Sequence, residues 1–175
     1  MRRPVDAVRV RAFMAALGRS VRADHTVYLV GGATAVLEGW RESTIDIDLA
    51  LPDRLASDEL LRALPGLKNE LELNVELASP ADFVPVPAGW EERARSVARE
   101  GHVTFLHYDL YAQALSKLER GHDRDLEDIR QMIARGLVER DRLHTFFTEI
   151  EPELYRFPAI DPPSFRRRVE SVVSG

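Results

Sequence analysis

Two aspartates on one predicted β-strand constrain this chain more than any other feature of its sequence. Residues 45–49 (Ile-Asp-Ile-Asp-Leu) alternate, which predicts a strand with one apolar and one acidic face. Asp46 and Asp48 then lie about 7 Å apart along the acidic face, given the rise per residue of a strand. Aspartate is depleted in strands, and neighbouring carboxylates repel each other. A divalent cation would remove that repulsion, and carboxylate oxygens suit Mg²⁺ bound together with substrate phosphates. A solvated polar face is the alternative for such a pair on its own.

A pair of glycines precedes this strand. Residues 27–30 form an apolar run rich in strand formers, Gly31 and Gly32 end it, and residues 33–39 are small and apolar and predict a short helix. Glycines between a strand and a helix leave backbone N–H groups free and let a phosphate approach the main chain. Thirteen residues separate Gly32 from Asp46. The combination favours a phosphate-binding turn beside a metal-binding strand, although a glycine pair alone is usually just a turn.

These two features together resemble the signature of the DNA polymerase beta-like nucleotidyltransferase superfamily. The resemblance implies that the glycine pair holds the phosphates of an incoming NTP, and that Asp46 and Asp48 hold two Mg²⁺ ions, with Mn²⁺ as a substitute. The segment is also similar to the nucleotidyltransferase toxins of bacterial abortive-infection (type IV) toxin–antitoxin systems and to small prokaryotic relatives. By that similarity, Arg41 and Thr44 contact the triphosphate. Loop solvation and strand capping are the alternative roles for these two residues.

Further candidate site residues follow downstream. Residues 71–77 alternate again, and Glu76 is the candidate for the third acid that completes the metal site in the resembled superfamily, with Glu72 as second choice. A third acid helps take the proton from the attacking hydroxyl. A Lys…Arg-Asp-x-x-Asp pattern, similar to an element of the toxin-like enzymes, implies Lys117 as a phosphate ligand and Asp125 as the acid that supports or orients it. A lysine is a suitable point charge for phosphate, and helix capping is the alternative for the acid.

The remaining pattern predicts an α/β (α+β) fold, a short, mixed, twisted sheet with flanking helices and a C-terminal helical part. A nucleotidyltransferase core over residues 1–110 and a helical part over residues 111–175 are expected to form one compact unit. Strands are predicted at residues 27–30, 45–51, 71–77 and 103–108. Residues 94–99 are either a fifth strand in a hairpin with the last, which the pattern favours, or a helix that precedes it. Helices are predicted at residues 5–21, at 57–64 before Pro65-Gly66, and over most of 109–155, and Ser164 is expected to cap a last short helix. Phe83 and Trp90 are expected to plug a packed loop.

Composition limits the classes of function. The 175 residues have a net charge of −5 and no cysteine, which excludes disulfides and thiolate metal sites and fits a cytoplasmic protein. The charge disfavours a general nucleic-acid-coating protein, which is usually strongly basic. A basic cluster at residues 166–168 is either a solvated face or a contact for an RNA backbone. No signal peptide is predicted, and no apolar run approaches the roughly 18 residues of a membrane span, so no membrane partner is expected.

The sequence therefore predicts a metal-dependent nucleotidyltransferase that moves a nucleoside monophosphate from an NTP to a hydroxyl acceptor and releases pyrophosphate. The resemblance implies a tRNA 3′ end or a protein side chain as acceptor, leaves a small molecule open, and adds a toxin role with a cognate antitoxin. Thr34 and Ala35 stand where CCA-adding enzymes carry Arg-Asp, which argues against such an enzyme. The alternative is a non-catalytic, antitoxin-like module that binds a partner protein, with Phe146 or Phe147 at the interface.

Overall fold

A computed structural model describes residues 3–53 and 55–175 of the chain. The strands are β1 (His25–Val30), β2 (Asp46–Ala50), β3 (Asn74–Leu77), β4 (Arg95–Glu100) and β5 (Val103–His107). The helices are α1 (Ala7–Ser20), α2 (Gly31–Leu37), α3 (Asp58–Glu70), α4 (Trp90–Arg93), α5 (Leu110–Arg120), α6 (Asp123–Ala134), α7 (Arg140–Ile150) and α8 (Pro162–Ser174). Short 3₁₀ segments lie at Leu55–Ser57, Pro80–Asp82 and Glu151–Arg156. The predicted mixture of strands and helices is confirmed.

The chain divides into two compact units. The first comprises Met1–Ser79 and Arg95–Tyr108, and contains the sheet. The second comprises Pro80–Ala94 and Asp109–Gly175, and contains α4 to α8. None of the helices in the described residues is long and apolar enough to cross a membrane.

The sheet of the first unit is mixed, as the sequence predicts. Its strand order is β3-β2-β1-β5-β4. β1 pairs with β2 in antiparallel and with β5 in parallel orientation, and β2 and β3 are parallel. A parallel pair needs a crossover connection, which α3 supplies between β2 and β3. β4 and β5 form the predicted antiparallel hairpin.

One face of this sheet forms the apolar core of the first unit. Ile47 and Leu49 alternate along β2 with Asp46, Asp48 and Ala50, and both are almost completely buried, as is Leu29 of β1. They belong to one cluster with apolar residues of α1 and α3, namely Val10, Phe13, Met14, Leu17, Leu60, Leu64 and Leu67. Because side chains alternate along a strand, the acidic residues of β2 lie on the opposite face. Core packing thus decides which face presents the carboxylates.

Helix α3 is longer than predicted. The expectation that it ends before Pro65 is wrong, because α3 continues through the proline to Glu70. An internal proline removes one hydrogen bond and crowds the preceding turn. Leu67 lies beyond it and is buried in the core cluster, and that burial offsets the cost. Residues 71–73 are consequently outside β3, and Glu72, with a φ of 52°, does not share the strand face of Glu76.

Three smaller expectations also fail. Ile45 precedes β2 and is 67% exposed, so it does not extend the apolar face of that strand. Phe83 is 44% exposed and does not plug the loop. Helix α8 has Asp161 rather than Ser164 at its N-cap, and two prolines follow at the helix start. Proline suits the first helical turn because its missing N–H has no intrahelical partner there.

In the second unit, Arg93 anchors the loop at residues 80–94. Its Nη2 and Nε donate to Oδ2 of buried Asp109, at 2.8 and 3.1 Å, and its guanidinium lies 4.3 Å from the centre of the Phe146 ring. The other oxygen of Asp109 accepts from the backbone N–H of Tyr111 and caps α5. Arg93 therefore fixes the loop to α5 and α7.

Candidate active site

Three of the predicted site acids lie side by side on two neighbouring strands. The parallel register of β2 and β3 places Asp46 opposite Asn74, and Asp48 opposite Glu76. Partners on adjacent strands point to the same face and are about 4.8 Å apart. Asp46, Asp48 and Glu76 therefore share the sheet face opposite the core, together with an amide side chain, Asn74. The alternation of β3 in the sequence is the signal that identifies Asn74 as a member of this face.

Asn74 links two of these acids. Its Nδ2 donates to Oδ1 of Asp46 and lies 3.3 Å from Oε1 of Glu76. Asp46 and Asn74 are half-buried, whereas Glu76 is exposed. An amide donor between two carboxylates places positive charge density where the acids would otherwise repel each other. The acidic face is thus partly compensated by the chain itself.

The first glycine lies directly beside this acidic face. β1 ends at Val30, whose antiparallel partner is Asp48, and Gly31 follows. Gly31 has a φ of +60°, and a Cβ at this position would lie 2.9 Å from Oδ2 of Asp48. The backbone conformation favours glycine there, and a Cβ would also displace the Asp48 carboxylate. The main chain at the β1–α2 junction is therefore close to a predicted metal-binding carboxylate.

The second glycine packs against the residue that leads into β2. A Cβ on Gly32 would lie 2.0 Å from Oγ1 and 2.7 Å from Cβ of Thr44. Thr44 is 7% exposed, its hydroxyl donates to the carbonyl of Asp46 at 3.1 Å, and its backbone exchanges two hydrogen bonds with Val5. Gly32 and Thr44 thus fix the entry of β2 relative to the glycine turn. Arg41, in the same connection, is partly buried, and its backbone N–H donates to the carbonyl of Ala35.

In the second unit, the structure brings Lys117 and Asp125 together. Lys117 is 4% exposed, and its Nζ donates to Oδ2 of Asp128 at 2.7 Å and to Oδ1 of Asp125 at 3.4 Å. Arg120 also donates to Asp125, at 2.7 Å. Asp128 is the last residue of the Lys…Arg-Asp-x-x-Asp pattern, but no role was predicted for it, although residues three apart on a helix share a face and this spacing relates it to Asp125. The role of Lys117 in binding phosphate stays a prediction.

The comparison with known proteins identifies the family. A family model described as "Nucleotidyltransferase of unknown function (DUF6036)" matches residues 8–159. The chain belongs to this nucleotidyltransferase family. No curated protein and no solved structure matches it significantly. The match covers both glycines and all the predicted site acids, and it supports the prediction at the level of a nucleotidyltransferase family of unknown function.

The donor set of this family member suits a hard divalent cation. Mg²⁺ takes oxygen ligands, and three carboxylates and an amide share one sheet face here. Within residues 3–53 and 55–175, however, no three Asp, Glu or His side chains converge closely enough to hold a metal ion as they stand. Asp46 and Glu76 face Asn74 instead. Because the backbone register already aligns the strands, a cation would require the carboxylates to turn about their own side-chain torsions.

A buried histidine holds α2 against the sheet of this nucleotidyltransferase unit. Nδ1 of His107 lies 3.1 Å from the hydroxyl of Thr34, and its Nε2 lies 3.2 Å from Oε1 of Glu38. Burial, with a smaller contribution from Arg95, lowers the pKa of His107 to about 4. The Glu38 carboxylate favours the charged ring, but Arg95, 3.5 Å away, balances that carboxylate. The neutral ring thus joins β5 to the helix that begins at the glycine pair.

Proposed function

We propose that this protein transfers a nucleoside monophosphate from an NTP to a hydroxyl acceptor and releases pyrophosphate. One observation carries the proposal: Asp46, Asp48 and Glu76 share one face of the sheet, and Gly31 lies against Asp48. Carboxylates beside a glycine at the start of a helix are parts that phosphoryl transfer uses, because that chemistry depends on positioning and charge compensation. Membership of a nucleotidyltransferase family supports the same reaction class.

The three acids of the sheet face and Gly31 each have a defined role in this proposal. Asp46, Asp48 and Glu76 hold Mg²⁺, or Mn²⁺, which when bound neutralises phosphate charge and makes the attacking hydroxyl more acidic. Glu76 is exposed, and its carboxylate accepts the proton of the acceptor hydroxyl. The acceptor oxygen forms a bond to the α-phosphorus, and the bond from that phosphorus to the pyrophosphate oxygen breaks. Gly31, which has no side chain to obstruct it, lets the phosphates approach the backbone.

Four further residues keep the nucleotide-binding roles that the resemblance implies. Arg41 and Thr44 contact the triphosphate from the connection that leads into β2. Lys117 binds phosphate and Asp125 orients it. In the second unit the charge of Lys117 is balanced by Asp125 and Asp128, so phosphate binding requires the lysine to exchange a carboxylate for a phosphate oxygen.

The acceptor is a tRNA 3′ end or a protein side chain, and the cell-level role is that of a cytoplasmic toxin with a cognate antitoxin. The alternative, a non-catalytic module that binds a partner, loses the support that the adjacent phenylalanines give it. Phe146 stacks on Tyr111 at 4.9 Å, and Phe147 packs on Phe165 at 5.0 Å. Both rings are used inside the second unit, and their adjacency no longer argues for an interface.

Calorimetry with the four NTPs tests the proposal. We expect at least one NTP to bind in Mg²⁺ but not in EDTA, and Asp46→Asn/Asp48→Asn to abolish this binding while the circular dichroism spectrum is unchanged. Asp58→Asn, which makes the same chemical change at an exposed position of α3, is the matched control and should bind normally. Transfer of an α-phosphate label to total tRNA or protein then identifies the acceptor. Full transfer activity in the double variant would refute the assignment.

A further inference from the structure

The second unit contains a pocket between α6 and α8, beside the start of α7. Its volume is about 680 Å³. Pockets that bind small molecules typically measure about 300–1,000 Å³. The pocket is therefore large enough for an organic ligand, and it lies among residues that the proposed transfer reaction does not use.

The charge of the pocket is opposite to that of the chain. Four arginines, Arg130, Arg140, Arg167 and Arg168, line it, and no Asp or Glu is among the described residues at its wall. The chain as a whole has a net charge of −5. Arg130 is paired with the carboxylate of Glu127 at 3.1 Å, so an anionic ligand would mainly offset the charges of Arg140 and Arg167. The ligand that fits this lining is negatively charged.

Two of these arginines are held in place while most of their N–H donors stay unused within the described chain. Arg140 donates from Nε to the carbonyl of Val172 at 3.2 Å. Arg167 donates from Nη2 to the hydroxyl of Ser164 at 2.7 Å. A guanidinium group has five N–H donors in a planar fork that matches phosphate oxygens. Arg140 and Arg167 are thus anchored by one contact each and retain donors for an anion.

Arg168 has a different task. It donates to the carbonyls of Leu118 and Glu119, the last turn of α5, and so caps that helix. A Cβ on Gly121 would lie 2.7 Å from the Arg168 side chain, so the glycine lets the arginine approach. Arg168 therefore belongs to the wall of the pocket and to the scaffold of the unit, and it is unsuitable for a binding test.

The rest of the wall is apolar. Leu126 and Ile133 lie two turns apart on α6, and Val172 faces them from α8. All three are partly buried. An RNA backbone, which is charged along its whole length, would leave these side chains without an apolar partner. A compact ligand with an anionic group and an apolar or aromatic body satisfies both parts of the wall.

We propose that this pocket binds a small organic phosphate. Arg140 and Arg167 hold the phosphate, because guanidinium forks pair best with an oxyanion that accepts several hydrogen bonds. Leu126, Ile133 and Val172 contact the apolar or aromatic body. The site requires no metal ion, and its wall includes none of the acids of β2 and β3, so it makes the protein able to bind a second ligand besides the substrates of the proposed transfer.

The test uses 1-naphthyl phosphate as the probe, in EDTA, with the 175-residue chain and calorimetry. We expect it to bind at least tenfold more tightly than inorganic phosphate and than uncharged 1-naphthol. Adenosine 5′-monophosphate, run in parallel, shows whether the pocket takes nucleotides or other aryl phosphates. Asp46→Asn/Asp48→Asn should bind the probe like the wild type, which separates this site from the proposed active site.

Variants locate the binding. Arg140→Gln/Arg167→Gln should weaken probe binding at least tenfold. Arg156→Gln, which removes an exposed arginine of the same unit that does not line the pocket, is the matched control and should leave binding unchanged. Ile133→Glu introduces a negative charge at the apolar wall and should weaken binding as well. Circular dichroism confirms that each variant is folded.

Three results would overturn the proposal. The first is no probe binding at millimolar concentration, and the second is equal binding by Arg140→Gln/Arg167→Gln and wild type. The third is binding of a single-stranded oligouridylate that Arg140→Gln/Arg167→Gln abolishes and that 1-naphthyl phosphate does not displace from the wild type. That third outcome would assign the arginines to an RNA backbone instead.

Discussion

Replacing Gly32 with alanine tests the packing that places β2 beside the glycine turn. The added Cβ would lie 2.0 Å from Oγ1 of Thr44 and 2.7 Å from its Cβ, so atoms must move. Thr44 cannot move freely, because its backbone N–H and carbonyl bond to Val5 at 2.9 and 2.7 Å. Overpacking of a buried site typically costs about 1–3 kcal/mol, and these contacts place the cost near the upper end. Alanine in a helix regains about 1 kcal/mol over glycine. We expect a net loss of roughly 2 kcal/mol in the free energy of unfolding.

A double-mutant cycle shows whether Thr44 causes that loss. Thr44→Ala removes the hydroxyl but leaves the Cβ contact of 2.7 Å, so it should relieve only part of the strain of Gly32→Ala. Thr44→Gly removes both contacts. We therefore expect Gly32→Ala/Thr44→Gly to be more stable than the sum of its single variants by at least about 1 kcal/mol, within the range of coupling between contacting residues.

Urea denaturation followed by circular dichroism measures these differences, and a matched control calibrates them. Gly66→Ala makes the same substitution in α3, where no heavy atom lies within 4 Å of the new Cβ. It should stabilise the protein by about 0.5–1 kcal/mol through helix propensity. If Gly32→Ala were as stable as Gly66→Ala, or if the cycle showed no coupling, the close contact of the glycine with Thr44 would be refuted.

Three further predictions concern charged groups. Lys117→Met should lower the free energy of unfolding, measured by urea denaturation, by about 3–5 kcal/mol, because it leaves buried carboxylates without their cation. Adding Asp128→Asn should recover part of that loss. A Lys117→Met variant as stable as the wild type would contradict this prediction. The hydrogen bond from His25, with two backbone N–H groups, lowers the pKa of Glu59 to about 2 from an ordinary 4.5. The ionised Glu59 carboxylate stabilises the fold above the ordinary pKa, and this stabilisation is lost as the pH falls from about 4.5 to 2. The difference in the free energy of unfolding between wild type and Glu59→Gln should therefore shrink over that interval. A difference independent of pH would exclude the pairing. The ring signals of His107 in NMR should titrate near pH 4, and a midpoint above about 6 would show that burial does not dominate.

The acidic face was predictable because its information is local. Alternation over five residues decides that Asp46 and Asp48 face away from the core, and the alternation of β3 does the same for Glu76. The pairing of the two strands is not local, yet once each strand's apolar side is buried, the acids must share the other side. The turn between β1 and α2 was predictable for the same reason, since a glycine pair between a strand and a helix indicates a backbone conformation such as the positive φ of Gly31.

Other features depend on contacts that a linear pattern does not contain. Helix α3 passes Pro65 because burial of Leu67 outweighs a local helix-breaking preference. Arg93 reaches Asp109 across fifteen intervening residues, so its anchoring role is visible only in three dimensions. The pocket of the second unit combines residues of α6, α7 and α8. In the sequence, only the basic run at residues 166–168 indicates this pocket, and one of its arginines, Arg168, also caps α5.

The acidic face divides into a fixed backbone and adjustable side chains. The contact of Gly32 with Thr44, and the two backbone hydrogen bonds between Thr44 and Val5, leave little freedom for the main chain that enters β2. The carboxylates of Asp46 and Glu76, by contrast, share one amide donor from Asn74, which compensates only part of their negative charge. The amide reduces the repulsion between the two carboxylates, and under the proposed function a divalent ion would compensate them more strongly, since it offers far more charge than an amide dipole. Under the proposed function, Asp46, Asp48 and Glu76 would hold the metal ion without any rearrangement of β2 and β3, because only the side-chain torsions of these acids would have to change.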